Sequence, residues 1–348
     1  MSQDTAHATM PVLYATFPSS AHDDVVTFSG ELDQLPRWCD SASYRGALIY
    51  TDNSLMDPWV VAQESIRRSP SFVPLVAIQP LYQHPFAVAR TVASIASLRR
   101  RRVDLNFVTG GFKADLVSLG DDLDHDRRYD RLVEYADVVR ALLAGSRVTY
   151  AGAHYRLESA KVRSVPADLR PGFFVSGSSP SCRRAAKAIG AVRLCYPPWP
   201  DDAASEAGEP GTAWGMRVGI IARDDRDDAW AIAETRFPPD ARGVGKQRII
   251  SRMSESSWQR KLSQMAEAAA RAGSAGAGDG TYWLRPFQSY KTFCPYLVGS
   301  YDEVAGALQR YLAAGVSTII LDVPTSYEDL VHARLAIARA VDAAPLSA

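Results

Sequence analysis

Apolar residues along the chain fall in short runs that alternate with stretches of helical periodicity. Short apolar runs bounded by turn residues read as strands, and apolar positions recurring three and four apart read as helices. Strands are predicted at Val12–Phe17, Ala47–Tyr50, Val73–Gln79, Val103–Thr109, Phe173–Gly177, Val192–Tyr196, Met216–Ala222 and Thr318–Val323. Helices are predicted at Asp57–Arg68, Pro85–Arg100, Arg127–Leu143, Pro180–Ile189, Asp227–Arg236, Trp258–Ala270, Tyr301–Ala314 and Tyr327–Ala343. Several strand runs are continuous rather than alternating, as strands covered on both faces should be. Eight strands interleaved with helices predict an α/β fold of the (β/α)8 TIM-barrel class, one barrel domain over residues 1–348.

Three segments interrupt the alternation, at about 111–126, 149–156 and 237–296. Thr149–Arg156 reads as a small hairpin around Ala151-Gly152. The longest insertion contains Gly273–Gly280 (GSAGAGDG), a stretch suited either to a lid at the catalytic face or to a plain surface loop.

Composition narrows the possibilities without naming a chemistry. The 348 residues carry 39 Lys+Arg against 39 Asp+Glu, which argues against bulk attraction to nucleic acid or to an acidic membrane. No stretch approaches the roughly 20 apolar residues that span a bilayer. Met1–Gly30 shows no basic segment followed by an apolar run, so a cytoplasmic location is expected. Cys39, Cys182, Cys195 and Cys294 lie far apart with no CxxC, which fits reduced thiols and no metal site.

Three polar clusters close predicted strands. Phe173–Pro180 (FFVSGSSP) reads as strand, Gly/Ser turn and a helix opened by Pro with Ser at its cap. Free N–H groups there, Ser178, Ser179 and Arg183 or Arg184 could cradle a phosphate, or the segment is an ordinary capped helix. Asn106–Gly111 (NFVTGG) sets polar groups and glycines where barrel active sites lie, or is a turn that needs positive φ. Asp124 could cap the next helix and place His125 and Tyr129 on one face. Arg99–Arg102 suits a helix C-terminus better than a nucleic-acid patch, and His84-Pro85 marks a helix start.

Taken with Gly46–Ala62, His84–Arg90, Leu123–Tyr129, Trp214–Val218 and Asp228–Trp230, these segments resemble the bacterial luciferase-like flavin monooxygenases, nearest the alkanesulfonate branch. The resemblance runs from about Tyr44 to Ile337. It implies an enzyme that takes reduced FMN from a separate flavin reductase, binds O2 and oxygenates a substrate, in an assembly of two or four copies. Carried over by position, Ser178 and Ser179 hold the FMN phosphate with His125 and Tyr129 nearby. Asn106 and Thr109 lie along the flavin, and Thr51 and Gln79 sit at neighbouring strand ends.

Departures from the sulfonate enzymes point to a different substrate. Phe17 stands where they carry histidine and Leu55 where they carry cysteine. Their Arg-x-His reads Arg217-Val218-Gly219, and their mobile-loop arginine falls near Tyr290-Lys291. Phe17, Leu55, Gly219 and Tyr290 are therefore expected to line a more apolar substrate pocket, with Arg217 and Lys291 as the catalytic cations. A site built for a charged sulfonate should not lose its polar partners. Pro197–Ala213 replaces a full helix, which suggests a larger or carrier-bound biosynthetic substrate. Two alternatives stay open: an F420-dependent hydride-transfer enzyme of the same superfamily, and a flavin-binding homologue without catalysis.

Overall fold

The computed structural model describes residues 9–20, 25–207, 212–253, 257–271 and 280–343. Eight parallel strands are the skeleton: β1 (Val12–Thr16), β2 (Gly46–Ile49), β3 (Leu75–Ile78), β4 (Asp104–Phe107), β5 (Phe173–Ser176), β6 (Val192–Cys195), β7 (Trp214–Arg223) and β8 (Val316–Leu321). Every predicted strand is present, and helices alternate with them, so the chain folds as a (β/α)8 barrel. It divides into two compact units, one from Phe17 to Leu194 and the other made of the chain up to Thr16 with the chain from Cys195 onward.

In the Phe17–Leu194 unit, β2 to β6 pair in sequence order, all parallel. Helix Pro58–Arg68 starts on an Asp57 cap and a proline, and helix Pro85–Arg99 starts on His84, whose ring accepts from the Phe86 N–H. Helix His125–Leu143 buries Leu132, Tyr135, Val139 and Leu142, and Tyr135 meets Phe107 edge-on. The arginine run is structural, as its position implied. Arg100 ends its helix in the left-handed conformation, Arg101 donates to the Ser69 and Phe72 carbonyls, and Arg102 pairs with Asp104 at 2.7 Å. The predicted hairpin forms from antiparallel Val148–Ala151 and Arg156–Ala160.

In the other unit, β8 lies between β1 and β7. β7 is ten residues long, and its two halves pair with different strands of this unit. Trp214–Val218 pairs with β8, and Gly219–Arg223 pairs with a further parallel strand, Tyr296–Ser300. That strand was not predicted: a short run with a glycine in it, inside what reads as an insertion, carries little periodic signal. Helices Val25–Ser41 and Ala241–Met253 were also missed. Pro36 lies inside the first, and Gly243 and Gly245 dilute the second. Gly273–Asp279, the core of the suggested lid, lies outside the described residues.

Helix Ser257–Arg271 confirms the helix predicted in the long insertion. Its Gln259 is 1% exposed, and neither amide atom has a partner among the described residues. A buried, unpaired amide costs about 1–3 kcal/mol. Gln259→Leu should therefore stabilise the protein by that order in urea unfolding; a loss of stability would mean that the amide is engaged.

Candidate functional site

The Phe17–Leu194 unit gathers the predicted cofactor residues at the C-terminal ends of its strands. After β5 the chain turns at Gly177, whose φ of 148° suits glycine. A Cβ there would lie 2.6 Å from the Tyr129 hydroxyl and 2.9 Å from the Cys182 sulfur, so the backbone passes where no side chain fits. Ser179 caps the helix Pro180–Ile189, accepting from the Cys182 N–H at 3.1 Å, with Pro180 opening the first turn. Its free N–H groups and positive dipole end suit an anion.

Around that turn the side chains are tied together. Tyr129 is buried, and its hydroxyl lies by the Ser176 carbonyl at 3.4 Å and within reach of Thr109, Ser179 and Cys182. Burial pushes the phenol well above its ordinary pKa, so it stays a neutral donor. His125 packs edge-on against Tyr129 at 5.2 Å, with Nδ1 2.9 Å from Asp126. Ser181 donates to Asp126 at 2.5 Å and accepts from Arg184 at 2.9 Å. Ser181 and His125 together hold the Asp126 carboxyl below its usual range. Asp124 caps the helix beneath them, as its spacing implied.

Asn106 accepts from the Ser176 hydroxyl at 2.9 Å, and Thr109 is buried beyond it. Gly110, at φ 83°, leaves room for Gln79: a Cβ would stand 3.0 Å from the Gln79 amide nitrogen. A cavity of about 380 Å³ opens here, lined by Thr51, Leu55, Trp59, Gln79, Tyr82 and their neighbours. Gln79 is 6% exposed, and among the described residues its carboxamide has no protein partner. Five of the predicted cofactor residues thus meet around one turn, Thr51 and Gln79 share the cavity, and Ser178 stands in the turn itself.

Leu55 lines that cavity. Phe17 does not. Its ring packs edge-on against the buried Phe72 at 6.2 Å, so it serves the core and not that lining.

The second polar cluster lies in the unit that starts again at Cys195. Arg217, on β7, is buried and pairs with Asp322, just past β8, at 2.8 Å. Asp322 also accepts from the Thr292 hydroxyl and, at 2.9 Å, from the Tyr296 hydroxyl. Burial alone would raise the Asp322 pKa; Arg217 and the two hydroxyls outweigh it and hold the carboxyl below its ordinary value. Arg217 also reaches the Tyr196 hydroxyl at 3.4 Å. Tyr196 begins an aromatic row, stacking on Trp258 at 4.3 Å, with Phe293 and Tyr290 following edge-on.

Asp322 balances the charge of Arg217. Beside Gly219 the Tyr296 ring fills the space: a Cβ on Gly219 would stand 2.3 Å from it. Lys291 is paired with Asp240 at 2.8 Å. Tyr290 holds the left-handed conformation at φ 54°, a strain more common at functional positions than elsewhere. Asp322, Thr292 and Tyr296 escaped the sequence reading. The one available signal was an aspartate closing the apolar run Thr318–Val323.

Comparison with known proteins gives this arrangement its family. The chain is 32% identical over 300 residues to the 4-(γ-L-glutamylamino)butanoyl-[BtrI acyl-carrier protein] monooxygenase BtrO of Niallia circulans, covering 84% of this chain and 86% of that one. Its fold is shared with EDTA monooxygenase (EmoA) from Chelativorans sp. BNC1, at TM-score 0.70 and 15% identity, over 97% of this chain and 96% of that one. DmoA from Hyphomicrobium sulfonivorans matches at TM-score 0.66 and 14% identity, over 93% and 86%. Residues 29–318 match the luciferase-like monooxygenase family, and the chain belongs to that family of monooxygenases.

Proposed function

We propose that this monooxygenase uses reduced FMN, delivered by a separate flavin reductase, to oxygenate an acyl group borne on a carrier protein. The observation that carries the substrate reading is the 32% identity to an acyl-carrier-protein monooxygenase across most of both chains. The FMN reading rests on the turn after β5, where the backbone at Gly177 packs closely on Tyr129 and leads into the N-terminus of helix Pro180–Ile189, and on the unpartnered Gln79 amide. Both fit a planar cofactor with a phosphate tail.

Reduced flavin, when bound, supplies the electrons that activate O2. The chain's own residues do the rest. Ser178, Ser179 and the N–H groups of helix Pro180–Ile189 hold the phosphate, with Tyr129 as a neutral donor and His125 and Arg184 beside it. Asn106, Thr109, Thr51 and Gln79 present donors and acceptors along the ring. Leu55 and Trp59 give the cavity part of its apolar lining. Arg217, with its charge balanced by Asp322, donates oriented hydrogen bonds in place of a bare positive charge. Lys291 and Tyr290 border the same cluster.

The test is an anaerobic titration with reduced FMN, followed by tryptophan fluorescence and repeated with oxidised FMN and F420. Turnover with a reductase and O2 follows, on a 4-(γ-L-glutamylamino)butanoyl-loaded holo-carrier. Selective binding of reduced FMN and a one-oxygen mass gain on the acyl group are expected. Preference for F420 would turn the reading to hydride transfer, and binding of none of them would leave a homologue without catalysis. Faster turnover of a small free alkanesulfonate would overturn the substrate class.

Gly177→Ala tests the turn after β5 directly. The strained φ costs about 1–3 kcal/mol, and the methyl displaces Tyr129. Reduced FMN should bind about tenfold more weakly or worse. Unchanged affinity would remove this turn from the flavin site.

A further inference from the structure

We infer that helix Ala241–Met253 is a docking surface for the acidic, helical carrier domain that brings the acyl substrate; this rests on the carrier-bound reading above. The chain as a whole balances its charges, 39 against 39. This helix does not: ARGVGKQRIISRM holds Arg242, Lys246, Arg248 and Arg252 and no acidic residue. Arg242, Lys246, Arg248 and Ile249 are exposed, Ile249 by 61%. Helical spacing sets Arg242, Gly245, Lys246, Arg248 and Ile249 on one arc, while Gln247 is buried on the other side.

Several basic residues on other helices have acidic partners, while others, such as Arg37, Arg90 and Arg334, stand exposed without an ion pair among the described residues. Arg68 pairs with Asp33 and Glu64, Arg140 with Asp137, Arg310 with Asp201 and Arg339 with Asp302. Among the described residues, Arg242, Lys246 and Arg248 make no ion pair. An exposed isoleucine ringed by unpaired cations complements an acidic helix that carries an apolar residue at its centre.

The helix is also coupled to the Arg217–Asp322 cluster within its own unit. Gly243 touches the Ser289 carbonyl so closely that a Cβ would stand 2.1 Å from it. Lys246 lies over the Tyr290 ring at 4.6 Å, and Asp240, just before the helix, pairs with Lys291. The next residue, Thr292, donates to Asp322. A carrier seated on this face would rest one loop away from the buried polar cluster.

The experiment compares Arg242→Glu/Arg248→Glu, and the milder Arg242→Gln/Arg248→Gln, with the unaltered enzyme on two substrates. One is the 4-(γ-L-glutamylamino)butanoyl-loaded holo-carrier, the other the same acyl group on free pantetheine. Electrostatic docking predicts a KM for the carrier substrate raised about tenfold by charge reversal, with kcat kept and pantetheine turnover unchanged. Added salt should raise the carrier KM of the unaltered enzyme and flatten the difference. An unchanged carrier KM, or equal losses on both substrates, would overturn the docking surface. Should the unaltered enzyme prefer the pantetheine thioester, the carrier-bound reading itself falls, and the docking surface with it.

Discussion

Asp322→Ala should lower the stability of the protein by about 3–5 kcal/mol, because it strands the Arg217 guanidinium in the interior without its counter-charge. The side chains of Arg217 and Asp322 are 8% and 7% exposed, so water cannot take over. Thr292 and Tyr296 lose their acceptor at the same time. Chemical denaturation measures the loss. Arg217→Met/Asp322→Leu should recover a large part of it, since removing both charges leaves no buried ion. If Asp322→Ala unfolds like the unaltered protein, the pair is hydrated and contributes nothing.

The same pair predicts a pH dependence. The folded carboxyl titrates below its ordinary value, near 4 in an unfolded chain. Its contribution is therefore present above about pH 4 and fades as the pH drops through the folded value. The stability gap between the unaltered protein and Asp322→Ala should narrow on acidification below that point and stay constant from pH 5 to 8. One consequence bears on catalysis. Arg217→Ala would leave Asp322 buried and unpaired, so lost turnover in that variant would mix chemistry with unfolding. Arg217→Met/Asp322→Asn separates the two.

Gly219→Ala is expected to have the next largest effect. Its methyl would meet three atoms of the buried Tyr296 ring at 2.3–2.4 Å, and a packed interior does not yield by that much. Overpacking of this kind costs about 1–3 kcal/mol. Moving the ring also breaks the Tyr296–Asp322 hydrogen bond, so turnover should fall with stability. In a double-mutant cycle, Gly219→Ala should be far less harmful in a Tyr296→Ala background, where the space is already empty. Additive effects would show that Gly219 and Tyr296 do not compete for the same space.

Local pattern carried the barrel. Each of the eight strands is a short apolar run, and caps such as Asp57, Asp124 and Ser179 are written in adjacent residues. The turn at Gly177 and the group around Tyr129 were legible for the same reason: a strand's end, a glycine and a helix cap fall within a few residues. Leu55 and Gln79 were placed by the family resemblance, and they share the cavity. Phe17 lies outside that lining, because its ring packs on the buried Phe72.

Charge balance and the filling of space were decided only by tertiary structure. Arg217 and Asp322 are 105 residues apart, and the pairing of β7 with β8 brings them to one level. Tyr296 lies on a strand that carries a glycine inside an apparent insertion, and it fills the space beside Gly219 because the β7 register sets the two side by side. Neither outcome is a property of nearest neighbours. A strand or a cap is chosen over a few residues, where periodicity and backbone chemistry act. Whether a buried cation stands alone, or a glycine opens a pocket, depends on which distant side chain the sheet delivers to that point.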